Sequence, residues 1–548
     1  MSKIRIFSLG GLNEIGKNMY VVEVGQDIFV FDAGLKYPDD KLLGVDYIIP
    51  NYDYLKENKD RIKGIFVTHG HDQQMGAIPD IIHDIPNIKI YGTTFTIEVI
   101  KEELLGENLN TNNLITITPH KKISFGENSI FPISLTHSVP DAVGYVLNTP
   151  DGAIVYTGNF VFDPTMIGNY KTDIGKLAYV GKQGVLCLLS ESLYADKKGF
   201  TSPNHRTVSI IRETLNHNEG RILFNVSQAQ LYRIQELFDE ISTTDRKVVI
   251  LGKRLENIIL KAIEMKYINF DKKKIGNIHE VNTKGVVVIV SDEREKPFSN
   301  ITRITKGYDK FIKINEEDTV IFASPVYDGM ELSATRIYDK IAQIGANLVI
   351  IASKKYLGYH ASSEDLMLMI NLINPKYYFP VIGEYRHQVA NANVAKALDI
   401  KDENILLKLN GQVVTFKNGK LEETGEIIKT DEILIDGKTA HDVGELVIKD
   451  RELLSDNGIV IVSATIDKQT KKILAGPEIL TRGFIYVKDN VDLIKEAEKI
   501  SLDVINENTK PNYIEFNKIK SGIRDKLGKF LYDKTECNPM ILVVMQEV

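Results

Sequence analysis

Short apolar runs separated by glycines open the chain. The runs at 4–9, 18–24 and 28–32 are broken at Gly10-Gly11, Gly16 and Gly25 and end in Phe31-Asp32-Ala33-Gly34, which predicts a meander of strands rather than a strand–helix–strand opening. Further runs at 64–68, 88–91, 131–136, 143–148 and 153–157 read as strands, with a helical period near 95–105. From about 204 to 370 strand and helix patterns alternate: 222–227 then 228–240, 247–251 then 254–266, 286–290, 319–324 then 331–344, 348–352 then 363–372. Alternation of this kind predicts a parallel sheet covered by helices. The first pattern resumes at 377–381 and continues through 405–416 and 433–447, so the alternating block reads as an insertion. A last unit has strands at 459–466 and 541–546 around helices near 491–507 and 515–532. The expected organisation is a first domain in two parts (1–203 and 371–448), an inserted domain (204–370), a charged linker (449–458) and a C-terminal domain (459–548).

Composition narrows the class. The chain has 548 residues, too many for one core, with 43% hydrophobic and 26% charged positions. No window approaches the ~20 apolar residues needed to cross a bilayer, and the first residues enter a strand pattern without a signal peptide's apolar run. The expected location is therefore cytoplasmic. Cys187 and Cys537 both lie near apolar strand-like runs and read as buried free thiols. A net charge of −7 disfavours a general polyanion binder, so a nucleic-acid path would be a local basic groove. Lys272-Lys-Lys274 reads as a solvated loop.

The candidate chemistry lies just past strand ends. Thr68-His-Gly-His71 follows Gly64-Ile-Phe-Val67, and two histidines so spaced can aim both imidazoles into one cleft. His137 and Asn159 follow two further strands, where a rigid sheet holds loop chemistry in place.

An ordered set of motifs runs along the chain: Gly10-Gly-Leu-Asn-Glu-Ile-Gly-Lys-Asn-Met19, Phe31-Asp-Ala-Gly34, His69-Gly-His71, Thr136-His-Ser-Val-Pro-Asp141, Thr157-Gly-Asn-Phe160, Ala323-Ser-Pro325, His360-Ala-Ser362, Gly383-Glu-Tyr-Arg386 and Asn538-Pro-Met-Ile-Leu-Val-Val544. In these the chain resembles the ribonuclease J family, the β-CASP branch of metallo-β-lactamase-fold nucleases, over essentially its whole length. The resemblance implies an α/β architecture: a metallo-β-lactamase αββα sandwich, an inserted β-CASP α/β domain and a small α+β C-terminal domain that supports oligomers. It also implies RNA processing and decay, including rRNA maturation and mRNA turnover, by 5′-to-3′ exonuclease and endonuclease hydrolysis with two zinc ions between the first two domains.

Carried over one at a time, His69, His71 and His137 match three ligands of the first metal. Gln73 and Gln74 stand where the second metal's Asp and His belong, Asn159 replaces the bridging carboxylate, and Ile382 replaces a histidine. Neutral amide oxygens bind zinc far more weakly than carboxylate or imidazole, so a two-metal centre is not expected. The three histidines are either metal-free relics or an open site for one weakly held Zn²⁺ or Mn²⁺. Asp72 is expected to point away from them. Asp32 either orients a histidine or caps the Gly34 turn. The resemblance makes Glu191 the acidic residue of the first β-CASP motif and His360 a contact to the reacting phosphate; Asp32, Glu191 and His360 are the candidate catalytic residues.

The phosphate-binding stretch, Gly358, Tyr359, His360 and Ser362, departs from the family in that Tyr359 replaces a glycine, and Glu293 falls where a phosphate-binding serine belongs. These losses point to a degenerate member with little activity, a scaffold or regulatory subunit that binds RNA and assembles as a homo- or hetero-dimer or tetramer with an active paralogue. The alternative is a weak metal-dependent nuclease using the three histidines. A small-molecule hydrolase fits less well, because the large insertion suits a polymer channel.

Overall fold

The computed structural model describes residues 3–38, 42, 44–291, 298–326, 330–351, 355, 357–437, 445–485, 490–510 and 513–548. The chain divides into two compact units, one formed by Met1–Tyr37 with Ile48–Ile433, the other by Pro38–Tyr47 with Leu434–Val548.

In the first unit, Lys3–Gly10, Met19–Val24 and Asp27–Phe31 form the expected antiparallel meander. Ile62–Phe66, Ile90–Gly92 and Leu114–Thr116 extend it in parallel, and Val414–Lys417 and Lys420–Glu422 complete eight strands on the other edge. A second, six-stranded sheet runs Pro375–Val381, Val185–Glu191, Gly152–Tyr156, Val143–Thr149, Asn128–Ser134, Ile123–Phe125. Tyr20, Phe31 and Phe66 of the first sheet share one buried cluster with Tyr145, Leu189 and Phe379 of the second. The outer face of the second sheet is covered by Ile174–Gln183, Ser363–Ile373 and Tyr385–Lys396, through Leu177, Val180, Leu366, Met369 and Ala395. The sandwich closes only because Pro375–Val381 pairs in parallel with Val185–Glu191 across some 180 residues of intervening chain.

That intervening chain holds a third sheet, Ile275–Gly276, Val248–Leu251, Val287–Val290, Ile222–Asn225, Thr319–Phe322, Asn347–Ile350, parallel throughout. Its four inner strands are buried throughout and mostly apolar, as strands covered on both faces require. The alternation of the sequence thus becomes an inserted α/β layer.

The second unit contains Ile459–Ile466 between antiparallel Ile473–Arg482 and parallel Met540–Glu547. Helices Val491–Glu507 and Phe516–Thr535 cover one face through Ile494, Val504, Ile519, Ile523 and Leu527. Ile473–Arg482 was missed in the sequence because only alternate residues are buried and Gly476-Pro477 interrupts the pattern. The segment 449–458 is not a loop-like linker: helix Glu445–Asn457 runs through it, with Ile448 buried, so the boundary expected at 448/449 falls inside a helix. Two smaller expectations also change. Lys272–Lys274 is a short helical turn whose Lys274 ammonium donates to the carbonyls of Ile241 and Ser242, and Cys537 is only half-buried, whereas Cys187 is buried.

Candidate metal and phosphate site

Parallel pairing sets the C-terminal ends of several strands side by side, and the candidate residues follow those ends. Asp32 follows Asp27–Phe31, His69 follows Ile62–Phe66, Asn159 follows Gly152–Tyr156, Glu191 ends Val185–Glu191 and Ile382 follows Pro375–Val381. Crevices beyond strand ends are where open α/β sheets bind ligands. The backbone N–H of Val143 donates to Thr68 O at 3.0 Å, which ties the second sheet, and with it His137, to the histidine turn.

His69, His71 and His137 are all buried, and their ring nitrogens lie within 4.8 Å of one another. His69 Nε2 is 3.2 Å from His71 Nδ1, and His137 Nε2 is 3.3 Å from the same atom. The neighbours fix the protons. His71 Nε2 lies 2.9 Å from the carbonyl of Ala229, which can only accept, so Nε2 carries the hydrogen and Nδ1 a lone pair. His69 Nδ1 lies 2.9 Å from Thr68 Oγ1, whose single hydroxyl proton goes to Asp32 at 3.0 Å when that carboxyl is ionised; in that state His69 Nδ1 is the donor and its Nε2 also carries a lone pair. Burial drives His69 and His137 well below the usual imidazole range and brings His71 down to about 4, so all three are neutral at pH 7. With Asp32 ionised, the lone pairs of His69 Nε2 and His71 Nδ1 therefore face each other at 3.2 Å with no proton between them. A tetrahedral zinc with bonds of ~2.0–2.1 Å separates its ligand atoms by ~3.3–3.4 Å, close to the two spacings that meet at His71 Nδ1. The donor set fits one divalent cation.

The residues at the positions that the resemblance assigns to a second cation do not offer donors that fit one. Gln74 is fully buried and neither atom of its carboxamide has a hydrogen-bond partner; Asn159 Oδ1 is likewise buried and unpartnered. Gln73 is partly exposed and contributes its backbone carbonyl to Asn18. Ile382 is buried with φ +57°, a left-handed conformation costly for a β-branched residue. It is held there by an N–H bond to Tyr20 Oη at 3.1 Å and by its carbonyl, which accepts from Ser192 N at 3.0 Å.

Of the two roles offered by the sequence, Asp32 takes the first indirectly, through Thr68. Its carboxylate accepts from Thr68 N at 2.7 Å, Thr68 Oγ1 at 3.0 Å and Tyr156 Oη at 2.7 Å, so it acts on His69 only through Thr68. Burial raises it to about 7 against the pull of these donors. Thr68 is the residue sequence reasoning missed; no periodicity marks it. Asp72 stands outside the histidine group and accepts from Tyr37 Oη at 2.6 Å and from Arg254 at 3.2 Å.

Glu191 Oε2 lies 2.8 Å from His360 Nδ1, and its Oε1 accepts from the backbone of Phe160 and Ala361. These bonds orient His360, whose ring lies 5.9 Å from that of His137. Gly358 is required by packing, because a Cβ there would lie 2.5 Å from Tyr194 Oη. The Ser362 hydroxyl pairs with Thr201 Oγ1 at 2.7 Å and is fully buried at the start of Ser363–Ile373. Tyr359 is 1% exposed, with its ring turned into the protein between His137 and His205. Glu293 lies outside the described residues.

Comparison with known proteins identifies the domains. Residues 29–174 match the beta-lactamase superfamily domain, 219–341 the "Ribonuclease J, beta-CASP domain" and 446–548 the "Ribonuclease J C-terminal domain". The chain is 37% identical over 550 residues to Ribonuclease J2 of Bacillus subtilis (strain 168), covering 100% of this chain and 99% of the relative. It is 35% identical over 549 residues to Ribonuclease J 2 of Staphylococcus aureus (strain NCTC 8325 / PS 47), covering 100% and 98%. A solved Enterococcus faecalis V583 protein of unknown function shares the fold, with a TM-score of 0.53 at 16% identity over 76% of this chain and 100% of that one. A metallo-β-lactamase fold with an inserted β-CASP domain and a matching C-terminal domain, and full-length relatives of that name, make the chain a member of the ribonuclease J family, resembling its J2 paralogue.

Proposed function

We propose that this chain is a ribonuclease J-like subunit of cytoplasmic RNA processing and decay that hydrolyses RNA poorly and works mainly as a scaffold or regulator beside an active paralogue. One observation carries the reading: next to three converging imidazoles, the second-cation positions offer the unpartnered carboxamide of Gln74, the unpartnered amide oxygen of Asn159 and the apolar Ile382. Without a second cation, two-metal clamping of the attacking and leaving oxygens is lost. A single divalent cation held by His69 Nε2, His71 Nδ1 and His137 Nε2 would supply Lewis acidity and an acidified water. Around it, Asp32 and Thr68 keep the His69 Nδ1 proton in place, Ala229 does the same for His71 Nε2, and Glu191 orients His360 toward the phosphate.

The second reading, a weak 5′-to-3′ exoribonuclease or endoribonuclease, is favoured by the lone pairs of His69 Nε2 and His71 Nδ1, which face each other and call for a cation. Metal stoichiometry and RNA turnover for the purified chain and for His69→Ala separate the two. Residual turnover that disappears in His69→Ala supports the weak enzyme; turnover unchanged by the substitution belongs to a contaminant and leaves the scaffold reading. Stimulation of an active paralogue by the chain supports the scaffold, and no effect on that enzyme's rate, mass or RNA affinity sinks it.

A further inference from the structure

A cavity of about 370 Å³ lies at the end of the inserted sheet away from the histidines. Beyond the C-terminal end of Ile222–Asn225, Ala229 reaches His71. At the opposite end, where Ile222–Asn225, Val287–Val290 and Thr319–Phe322 begin side by side, the residues ahead of the three strands line the cavity. Arg221 organises its walls. The buried guanidinium donates to Asp318 Oδ1 at 2.9 Å and Oδ2 at 2.6 Å, to Asn282 Oδ1 at 2.6 Å and to the carbonyl of Lys313 at 2.6 Å, which ties the segments ahead of all three strands together. Asp318 balances its charge, so Arg221 positions the site and the rim supplies the contacts.

On that rim Lys284, Lys310 and Lys313 are exposed, and among the described residues none of them pairs with a carboxylate. The acids beside them are committed elsewhere. Asp309 accepts from Arg303 at 2.9 Å and from the backbone N–H groups of Phe311 and Ile312 at 2.8 and 3.1 Å, which leaves Glu317 as the remaining acid of the wall. Three ammonium groups thus face one carboxylate, in a chain whose net charge is −7. Phe311 lines the cavity and is 40% exposed, and Tyr308, in the same stretch Lys306-Gly-Tyr-Asp-Lys-Phe-Ile-Lys313, is 77% exposed. The stretch is held firmly: Ile312 is buried, and Asn282 Nδ2 donates to the carbonyl of Phe311 at 3.0 Å. The Lys310 ammonium lies 4.7 Å from the centroid of the Phe311 ring. Exposed rings interleaved with lysines on a pre-organised loop are what single-stranded nucleic acid requires, since every base has a face to stack and every phosphate a charge to meet.

We propose that this cavity and its rim form a second RNA site, which takes one nucleotide of a single strand with its base on Phe311 and the flanking phosphates on Lys284, Lys310 and Lys313. The volume falls within the range of small-ligand sites, ~300–1,000 Å³. The inference rests on the RNA-binding reading above and gives that binding a place. A strand held here lies a sheet's length from the histidines, so the chain holds RNA that it does not cut, as a scaffold requires; neither the metal positions nor the stretch around His360 takes part.

The test follows the fluorescence anisotropy of a single-stranded oligoribonucleotide of about 12 residues between about 50 and 200 mM KCl. It compares the full chain with Phe311→Ala, with Phe311→Tyr and with the combined Lys284→Gln, Lys310→Gln and Lys313→Gln, thermal melts checking that each variant folds. The lysine variant should bind at least about tenfold more weakly, and the slope of log affinity against log salt should shrink by about 2, three phosphate contacts at ~0.7 each. Phe311→Ala should lose about tenfold with the slope unchanged, the worth of one stacked base, and Phe311→Tyr should bind as wild type does. A loop with a merely structural role would not separate charge from stacking in this way. If wild type binds RNA and the alanine and lysine variants match it in affinity and slope, the site is overturned and the RNA-binding reading stands. If wild type binds no RNA, both fall. Adenosine monophosphate that displaces the strand at equal concentration makes the cavity a site for free nucleotides and overturns its assignment to RNA.

Discussion

Thr68 and His71 show how single side chains set the chemistry of the cleft. Thr68 passes the charge of Asp32 to His69, so Thr68→Val should lower the affinity for Zn²⁺ by ~10–100-fold while leaving the fold intact, measured by chelator competition and circular dichroism. The pH dependence has two opposed parts. His71 titrates at about 4 when folded against ~6.5 unfolded, so in that window the unfolded chain takes up a proton the folded chain refuses. Its contribution is complete above about pH 6.5 and falls with pH below it, by up to ~1.4 kcal/mol per pH unit. Asp32, at about 7 when folded against ~3.9 unfolded, does the reverse: its stabilisation is complete below the unfolded value and is lost as pH rises toward 7. Urea midpoints in EDTA at pH 4.5 to 7.5 check both signs. His71→Asn should lose less stability than wild type on acidification, and Asp32→Asn should lose less on going from pH 5 to 7. The second-cation positions invite repair: a variant combining Gln73→Asp, Gln74→His, Asn159→Asp and Ile382→His should bind about two zinc ions per chain by elemental analysis. Histidine also tolerates the left-handed backbone at 382 better than isoleucine does.

At the scale of elements, close approach overrides local preference. Helix Ile174–Gln183 packs against Ser363–Ile373, and a Cβ on Gly181 would lie 2.1 Å from the carbonyl oxygen of Leu372. Alanine within a helix ordinarily gains ~1 kcal/mol over glycine, yet Gly181→Ala should destabilise by about 1–3 kcal/mol, because a backbone atom cannot yield as a side-chain end can. A lower urea midpoint checks it; a higher one would mean that the helices separate freely. Inner strands and helices of the inserted layer were legible because the buried parallel strands are short runs rich in Val, Ile, Leu and Phe and their helices carry a 3.6-residue period. Helix Glu445–Asn457 was not, since its charges masked a period that only Ile448 anchors to the interior.

For the whole molecule, the three-stranded sheet of the second unit has one face covered by its two helices and leaves Leu480, Leu542 and Val544 substantially exposed. An uncovered apolar sheet face suits association, in line with the proposed oligomer. Paired changes Leu542→Asp and Val544→Asp, or truncation near Asn457, should give a smaller species in light scattering; an unchanged mass would remove this face from the assembly.

Side-chain chemistry and hydrophobic period, both written locally, let the sequence alone determine the family resemblance, the inserted layer and the three histidines. Tertiary structure decided what depends on residues distant along the chain. Asp32 reaches His69 only because two neighbouring strands end together; Ala229 fixes the proton of His71 from 158 residues away; and Tyr359, in sequence a mere replacement of glycine, meets Arg233 only where the inserted layer folds back on the sandwich. No window of sequence contains both partners of such contacts, and only packing brings them together.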